Sequence, residues 1–144
     1  DVPIFIKLTS DLSPEGLSQM LKPITQTFDG IILANTTQKR EQLHSINQKE
    51  TGGLSGKPLF ERNLKLIAQA YRETQGQFLI IGTGGIFTVN DVIKMLRHGA
   101  TLVQIYSSLV FEGPGLTKKM NKQLVQYLQN NGYNHVSDII GLDV

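Results

Sequence analysis

Four short runs of β-branched and aliphatic residues recur along this chain: VPIFIK at 2–7, DGIILA at 29–34, FLII at 78–81 and LVQI at 102–105. Each gives way at once to a polar or glycine-rich turn and then to a segment of helix length. Runs this short read as strands rather than helices, and no pair of them is joined by a hairpin turn. Strands that alternate with helices are joined by crossovers and so run parallel. The chain is therefore expected to be α/β, with about four βα units, which is half of a (β/α)8 barrel. A doubly wound sheet is the alternative, but its phosphate-binding glycines are expected after the first strand, and here the richest glycine cluster follows the third.

The stretch 79–108 carries the densest information. Leu79-Ile80-Ile81 reads as a buried strand ending in Gly82-Thr83-Gly84-Gly85, and the run at 102–105 ends in Tyr106-Ser107-Ser108. Between them, residues 90–96 place Val92, Ile93, Met95 and Leu96 on one side of a helix that stops at His98-Gly99, a glycine C-cap signal. Glycines with free N–H groups after one strand and hydroxyls after the next suit a phosphate monoester, whose oxygens are matched by backbone donors. In barrels that site commonly follows the last two strands. GTGGI alone is a weak signal, since it has neither the GxGxxG spacing nor a Walker lysine. Its weight comes from the second polar turn one βα unit later. A side chain at Gly85 is expected to occupy the space the phosphate needs, with N–H groups from both turns converging on it.

The remaining units add polar groups to the same face. Lys7 closes the first strand, either snorkelling or pairing with a carboxylate, or else projecting from the end where barrels hold their chemistry. Ser13-Pro14-Glu15 then starts a helix with the stripe Leu17, Met20, Leu21, Ile24 and Phe28, and Pro23 within it predicts a kink or break. The second strand ends in Asn35-Thr36-Thr37, an amide and two hydroxyls suited to the edge of a planar polar ring, or else a simple Asx or ST turn. A long aperiodic segment, 38–57, ends in TGGLSGK, a composition that permits close backbone approach. His44 within it has no metal partner nearby and reads as a solvent histidine. A third helix is expected over 60–73 with Leu64, Ile67, Ala68 and Tyr71 inward, and a last one over 116–129 with Met120, Leu124, Val125 and Leu128 inward. A final turn within 136–141 is expected to pack against the barrel.

Composition excludes several classes of function. The chain has 144 residues, 40% of them hydrophobic, enough for a core of single-domain size, and its 18% charge is too low for a disordered tail. A net charge of +2, small and scattered, does not suggest nucleic acid. The absence of cysteine removes disulfides, thiolate catalysis and cysteine metal sites, and no metal centre is expected. No apolar run has membrane-spanning length, so this segment is expected to be soluble. The chain opens almost directly into a strand without an initiating methionine, which reads as a fragment with a cut N-terminus.

Taken together, Lys7, Asn35-Thr36-Thr37, TGGLSGKPL at 51–59, IIGTGGI at 80–86, LVQIYSSLVFEGP at 102–114 and the closing GYNHVSDIIGLDV resemble the C-terminal half of class 2 dihydroorotate dehydrogenase, in the same order and spacing. The likeness covers nearly the whole chain. It implies a flavin mononucleotide (FMN) enzyme with a (β/α)8 barrel that oxidises dihydroorotate to orotate in pyrimidine biosynthesis and passes electrons to quinone. By this resemblance residues 1–144 are the C-terminal half of that barrel. Lys7, Ala34, Gly56, Gly84, Gly85, Tyr106 and Ser107 would bind FMN, the last four around its phosphate, and Asn35 and Thr36 would bind orotate. Ala34 stands where the family often has threonine. Tyr106, Leu109, Val110 and Pro114 would line the quinone approach, with Val110 replacing the threonine of some members. The catalytic base, a serine, and the membrane-associating helices of the family belong to its N-terminal half, so no catalytic base is expected here. Membrane contact, on a bacterial cell membrane or the mitochondrial inner membrane, would come only through that missing region. Another phosphate-binding barrel enzyme and a non-catalytic half-barrel assembly module remain alternatives.

Overall fold

The computed structural model describes residues 2–41 and 43–144. Its elements run β1 (Phe5–Leu8), α1 (Pro14–Thr27), β2 (Gly30–Leu33), α2 (Phe60–Glu73), β3 (Leu79–Thr83), α3 (Val89–Arg97), β4 (Leu102–Gln104), α4 (Ser107–Glu112) and α5 (Leu116–Asn130). Single 3-10 turns at Lys57–Leu59 and Val136–Ile139 precede α2 and close the chain. The four strands form one parallel sheet in the order β1-β2-β3-β4, the strand–helix alternation that the apolar runs imply.

Register separates the two faces of the sheet. Ile6, Ile31 and Ile80 are paired neighbours, as are Leu8, Leu33 and Gly82, and these rows turn toward the helices. Ile31, Leu33 and Ile80 are fully buried there together with Leu17 of α1, Ile67 of α2 and Met95 of α3. The alternate row, Lys7, Ile32, Ile81 and Leu102, faces the other way. On that concave face Phe5 lies across Gly30, where an added Cβ would come within 2.3 Å of the Phe5 ring. The face has no covering layer among the described residues. Leu79 and Leu102 are accordingly 45% and 60% exposed. This corrects the expectation that 79–81 is a uniformly buried strand: only Ile80 is wholly enclosed.

Local chemistry explains the helix boundaries. The Ser13 hydroxyl accepts the Gly16 N–H at 3.0 Å, with Pro14 at the first helical position. Pro23 neither ends nor interrupts α1. It sits on the solvent side, so the Gln19 carbonyl deprived of an N–H partner is not trapped in the core, and the flanking Leu21 and Ile24 hold the helix to the sheet. Met20 faces partly outward rather than joining the buried stripe, as does Val125 of α5. Thr88 and Asp91 form a capping box at the start of α3. The chain's end is tied down by Ile139, fully buried, and by Arg97, whose guanidinium donates to Asp143 at 2.5 and 2.8 Å.

Candidate active site at the C-terminal ends of the strands

Every strand ends on the same rim, and the turns that follow enclose one open cleft. Lys7, Ala34, Asn35, Thr36, Gly56, Gly84, Gly85, Tyr106 and Ser107, the nine residues singled out in the sequence, all line it. Lys7 enters from the concave face of β1. The second turn extends the sheet beyond β2: Asn35 N–H donates to Leu8 O at 2.8 Å and Ala34 N–H to Thr83 O at 3.3 Å, and the Leu33–Ala34 peptide is cis. Those bonds fix the backbone and leave the Asn35 and Thr36 side chains on the cleft wall.

Thr37 does something different from the ring-edge contact its neighbours suggest. It is buried, its hydroxyl donates to the Asp11 carboxylate, and its backbone exchanges two hydrogen bonds with Leu54, at 2.8 and 3.1 Å. That bridge brings Ser55 and Gly56, at the end of the long segment, to the cleft. Partial burial pushes the Asp11 carboxyl up, but the Thr37 hydroxyl, the Gln38 N–H and the Arg62 guanidinium together hold it below the usual carboxylate range. Arg62 in turn reaches Asp11 and Glu41 at 3.1 Å each. Gly53 then lies directly on Thr36, where an added Cβ would fall 2.1 Å from its hydroxyl oxygen. At Gly56, by contrast, a Cβ would point into open space, its nearest neighbour being Ser107 Cβ at 4.0 Å. Ser107 Oγ donates to Ser55 Oγ at 3.0 Å, joining this loop to the turn after β4. His44 is exposed in the long segment.

The glycine turn after β3 has φ of +97° at Gly84 and +78° at Gly85, values that favour glycine. No described residue accepts a hydrogen bond from the backbone N–H of Gly84, Gly85 or Tyr106. Nearby, the Ser108 hydroxyl is buried in the cleft wall without a partner. Unpaired donors clustered at a cleft are what an acceptor-rich ligand satisfies. The reason for glycine at 85 differs from the expected one, however. A Cβ there would not fill the cleft but would meet Phe60 at the start of α2, at 2.6 Å from its Cβ and 2.8 Å from its backbone nitrogen. Beyond Ser108 the cleft ends: Leu109, Val110 and Pro114 lie outside it, on α4 and the following turn, with Val110 and Phe111 largely exposed.

The dihydroorotate dehydrogenase family model matches residues 1–128. The chain belongs to the dihydroorotate dehydrogenase family. It is 39% identical over 142 residues to the dihydroorotate dehydrogenase (quinone) of Deinococcus deserti, covering 98% of this chain and 39% of that protein. With the protein of the same name from Parvibaculum lavamentivorans it shares 40% identity over 144 residues, covering 99% of this chain and 41% of the relative. Among solved structures, ligand-free DHODH of Eimeria tenella superposes with a TM-score of 0.93 at 38% identity, over 99% of this chain and 40% of that one. The chain thus spans about two-fifths of the length of the curated relatives it matches. Both the family and the α/β architecture shared with these barrel enzymes agree with the sequence reading.

Two buried polar residues next to the cleft carry no motif and were not expected from the sequence. Ser10 and Asn63 are both wholly buried behind the cleft. Asn63 stands between the inward-facing Phe60, Leu64 and Ile67 of α2, and a polar residue on the apolar side of a helix is the signal that could have found it.

Proposed function

We propose that residues 1–144 form the C-terminal half of an FMN-binding dihydroorotate dehydrogenase barrel, which oxidises dihydroorotate to orotate in pyrimidine biosynthesis with quinone as electron acceptor. The observation that carries this reading is the single cleft lined by Gly84, Gly85 and Tyr106, whose backbone N–H groups have no partner among the described residues, together with Lys7, Asn35 and Thr36. The donor set fits a phosphate monoester beside a planar polar ring, and Gly56 leaves open the room that a side chain would take.

FMN, when bound, supplies the hydride acceptor. The chain's own residues would do the rest by holding and polarising. Gly84, Gly85, Tyr106 and Ser107 grip the phosphate through backbone donors and a hydroxyl. Ala34 and Gly56 present backbone to the cofactor, so the absence of a hydroxyl at residue 34 removes at most one contact. The Lys7 ammonium would lie beside the cofactor ring, where a cation favours negative charge on it. Asn35 offers both an amide donor and an acceptor to the orotate ring edge, and Thr36 a hydroxyl. The base that removes the C5 proton is assigned to the N-terminal half of the barrel. Tyr106, Leu109, Val110 and Pro114 line the approach of the quinone, and contact with the inner or cell membrane is assigned to the N-terminal region. None of the described helices is long and apolar enough to cross a membrane.

The test is made on the full-length protein. Heat-released flavin should be FMN, and dihydroorotate should bleach the bound flavin. Ser107→Glu, which sets a carboxylate among the phosphate donors, should weaken FMN binding at least tenfold while leaving the circular dichroism unchanged. Unaltered FMN affinity in folded Ser107→Glu would remove the phosphate from this cleft.

A further inference from the structure

We infer that Asn63, acting with Ser10, is a positioning residue that locks the substrate turn at Asn35 to the phosphate turn at Gly84; the inference rests on the functional reading above. Helix α2 packs on the sheet through apolar side chains, and nothing in that packing calls for an amide. Yet Asn63 is 0% exposed and both ends of its side chain are used. Its Nδ2 donates to Thr83 O at 2.7 Å, the carbonyl immediately before Gly84. Its Oδ1 lies 2.8 Å from Ser10 Oγ, which is also 0% exposed and sits 2.5 Å from Asn35 O. The single Ser10 proton is therefore shared between the Asn35 carbonyl and Asn63.

The bonds close on themselves. Thr83 O receives the Ala34 N–H as well as Asn63, and Asn35 N–H is already committed to Leu8 O. The backbone of residues 34 and 35 is thus held from β1, from β3 and, through Ser10, from α2. At the other end the Asn63 amide abuts the phosphate turn itself: a Cβ at Gly84 would lie 2.5 Å from Nδ2. One buried side chain on a rigid helix consequently sets the spacing between the groups assigned to the substrate ring and those assigned to the phosphate. A buried amide or hydroxyl left half-satisfied is costly, so the arrangement has one low-energy geometry rather than a continuum.

The experiment uses the full-length holoprotein and reads FMN affinity by flavin fluorescence beside steady-state kinetics. Asn63→Leu, similar in size but without polar atoms, should raise both the FMN Kd and the KM for dihydroorotate about tenfold, the scale of one buried hydrogen bond, while kcat falls less than about threefold. Ser10→Ala removes the bonds to Asn35 O and Asn63 Oδ1 but leaves the Asn63 Nδ2–Thr83 O bond to the phosphate turn in place. It should raise KM about fivefold and leave the FMN Kd within about twofold. The double variant should have a KM no higher than Asn63→Leu alone, since both changes break the same chain. A fall in melting temperature with KM and FMN Kd both unchanged would mean that Asn63 only supports the core, and would overturn the inference. If Asn63→Leu does not fold, Ser10→Ala decides: a raised KM with retained FMN supports the lock, and an unchanged KM refutes it. A wild-type protein that binds no FMN would overturn the functional reading and the inference with it, whereas wild-type FMN binding and turnover with silent variants overturns the inference alone.

Discussion

Replacing Gly85 by alanine separates two costs that are usually confounded. The residue has φ of +78°, and Gly132, at the end of α5, has φ of +75°. Both substitutions should incur the left-handed penalty of a Cβ, roughly 1–2 kcal/mol. Their surroundings differ. At Gly132 no heavy atom lies within 4 Å of the new Cβ, whereas at Gly85 it would meet Phe60 Cβ, N and Cα at 2.6, 2.8 and 2.9 Å. Backbone at the first residue of α2 has no rotamer in which to retreat, so the clash adds about 1–3 kcal/mol of overpacking. Gly85→Ala should therefore cost roughly 2–5 kcal/mol against roughly 1–2 for Gly132→Ala, a large share of the about 5–15 kcal/mol that stabilises a typical protein. Urea unfolding of the full-length protein, compared at constant m, measures the difference. Because relief of the clash must push the glycine turn away from α2, Gly85→Ala should also weaken FMN binding, and Gly132→Ala should not. Equal urea midpoints for the two variants would show that the turn is not braced by Phe60.

The docked C-terminus should respond to acid. The Arg97 guanidinium holds the Asp143 carboxyl below its ordinary range, so the pair's contribution is complete above the normal carboxylate pKa and is lost as pH falls through the lowered value. Thermal midpoints followed from neutral pH downward should accordingly fall more for wild type than for Asp143→Asn, and parallel curves would count against the pair. In the full-length enzyme Lys7→Ala should slow flavin reduction by dihydroorotate at least tenfold, with little change in melting temperature, because Lys7 is exposed and holds up no packing. A wild-type rate in stopped-flow would end the cationic role. Purified residues 1–144 should show no dihydroorotate turnover with quinone or dye, the base being assigned elsewhere, and measurable turnover would contradict that assignment.

Much of the fold was legible because its signals are local. Four apolar runs, the Ser13-Pro14-Glu15 cap and the helix over 60–73 each depend on neighbours in sequence, and α2 spans Phe60–Glu73 as the pattern implies. What misled was context supplied from a distance. Pro23 is tolerated because it faces solvent, and Leu79 and Leu102 are exposed because the concave face on which they stand has no covering layer among the described residues. Hydrophobicity tells that a residue seeks cover; it does not tell whether the cover lies within the same stretch of chain.

The cleft was legible for a related reason, and its supports were not. In a parallel sheet every strand end falls on one rim, so polar turns scattered over a hundred positions must meet there once the strands are assigned, which is how Lys7 and Ser107 come to share a wall. Supporting residues obey no such rule. Thr37 resembles Asn35 and Thr36 in type and place, yet it is turned inward by Asp11, a residue 26 positions away. Asn63 meets Ser10 across 53 positions. Nor does Gly85 advertise in its own neighbourhood that Phe60 is what excludes a side chain there. Residues that face a ligand are grouped by topology, which a strand count supplies. The residues that hold them still are chosen by pairwise contacts across the fold, and in one sequence their trace is a polar side chain where the helical period demands an apolar one. Applied to α2, that criterion selects Asn63 alone among its buried positions, the rest being Phe60, Leu64, Leu66, Ile67, Ala68 and Ala70.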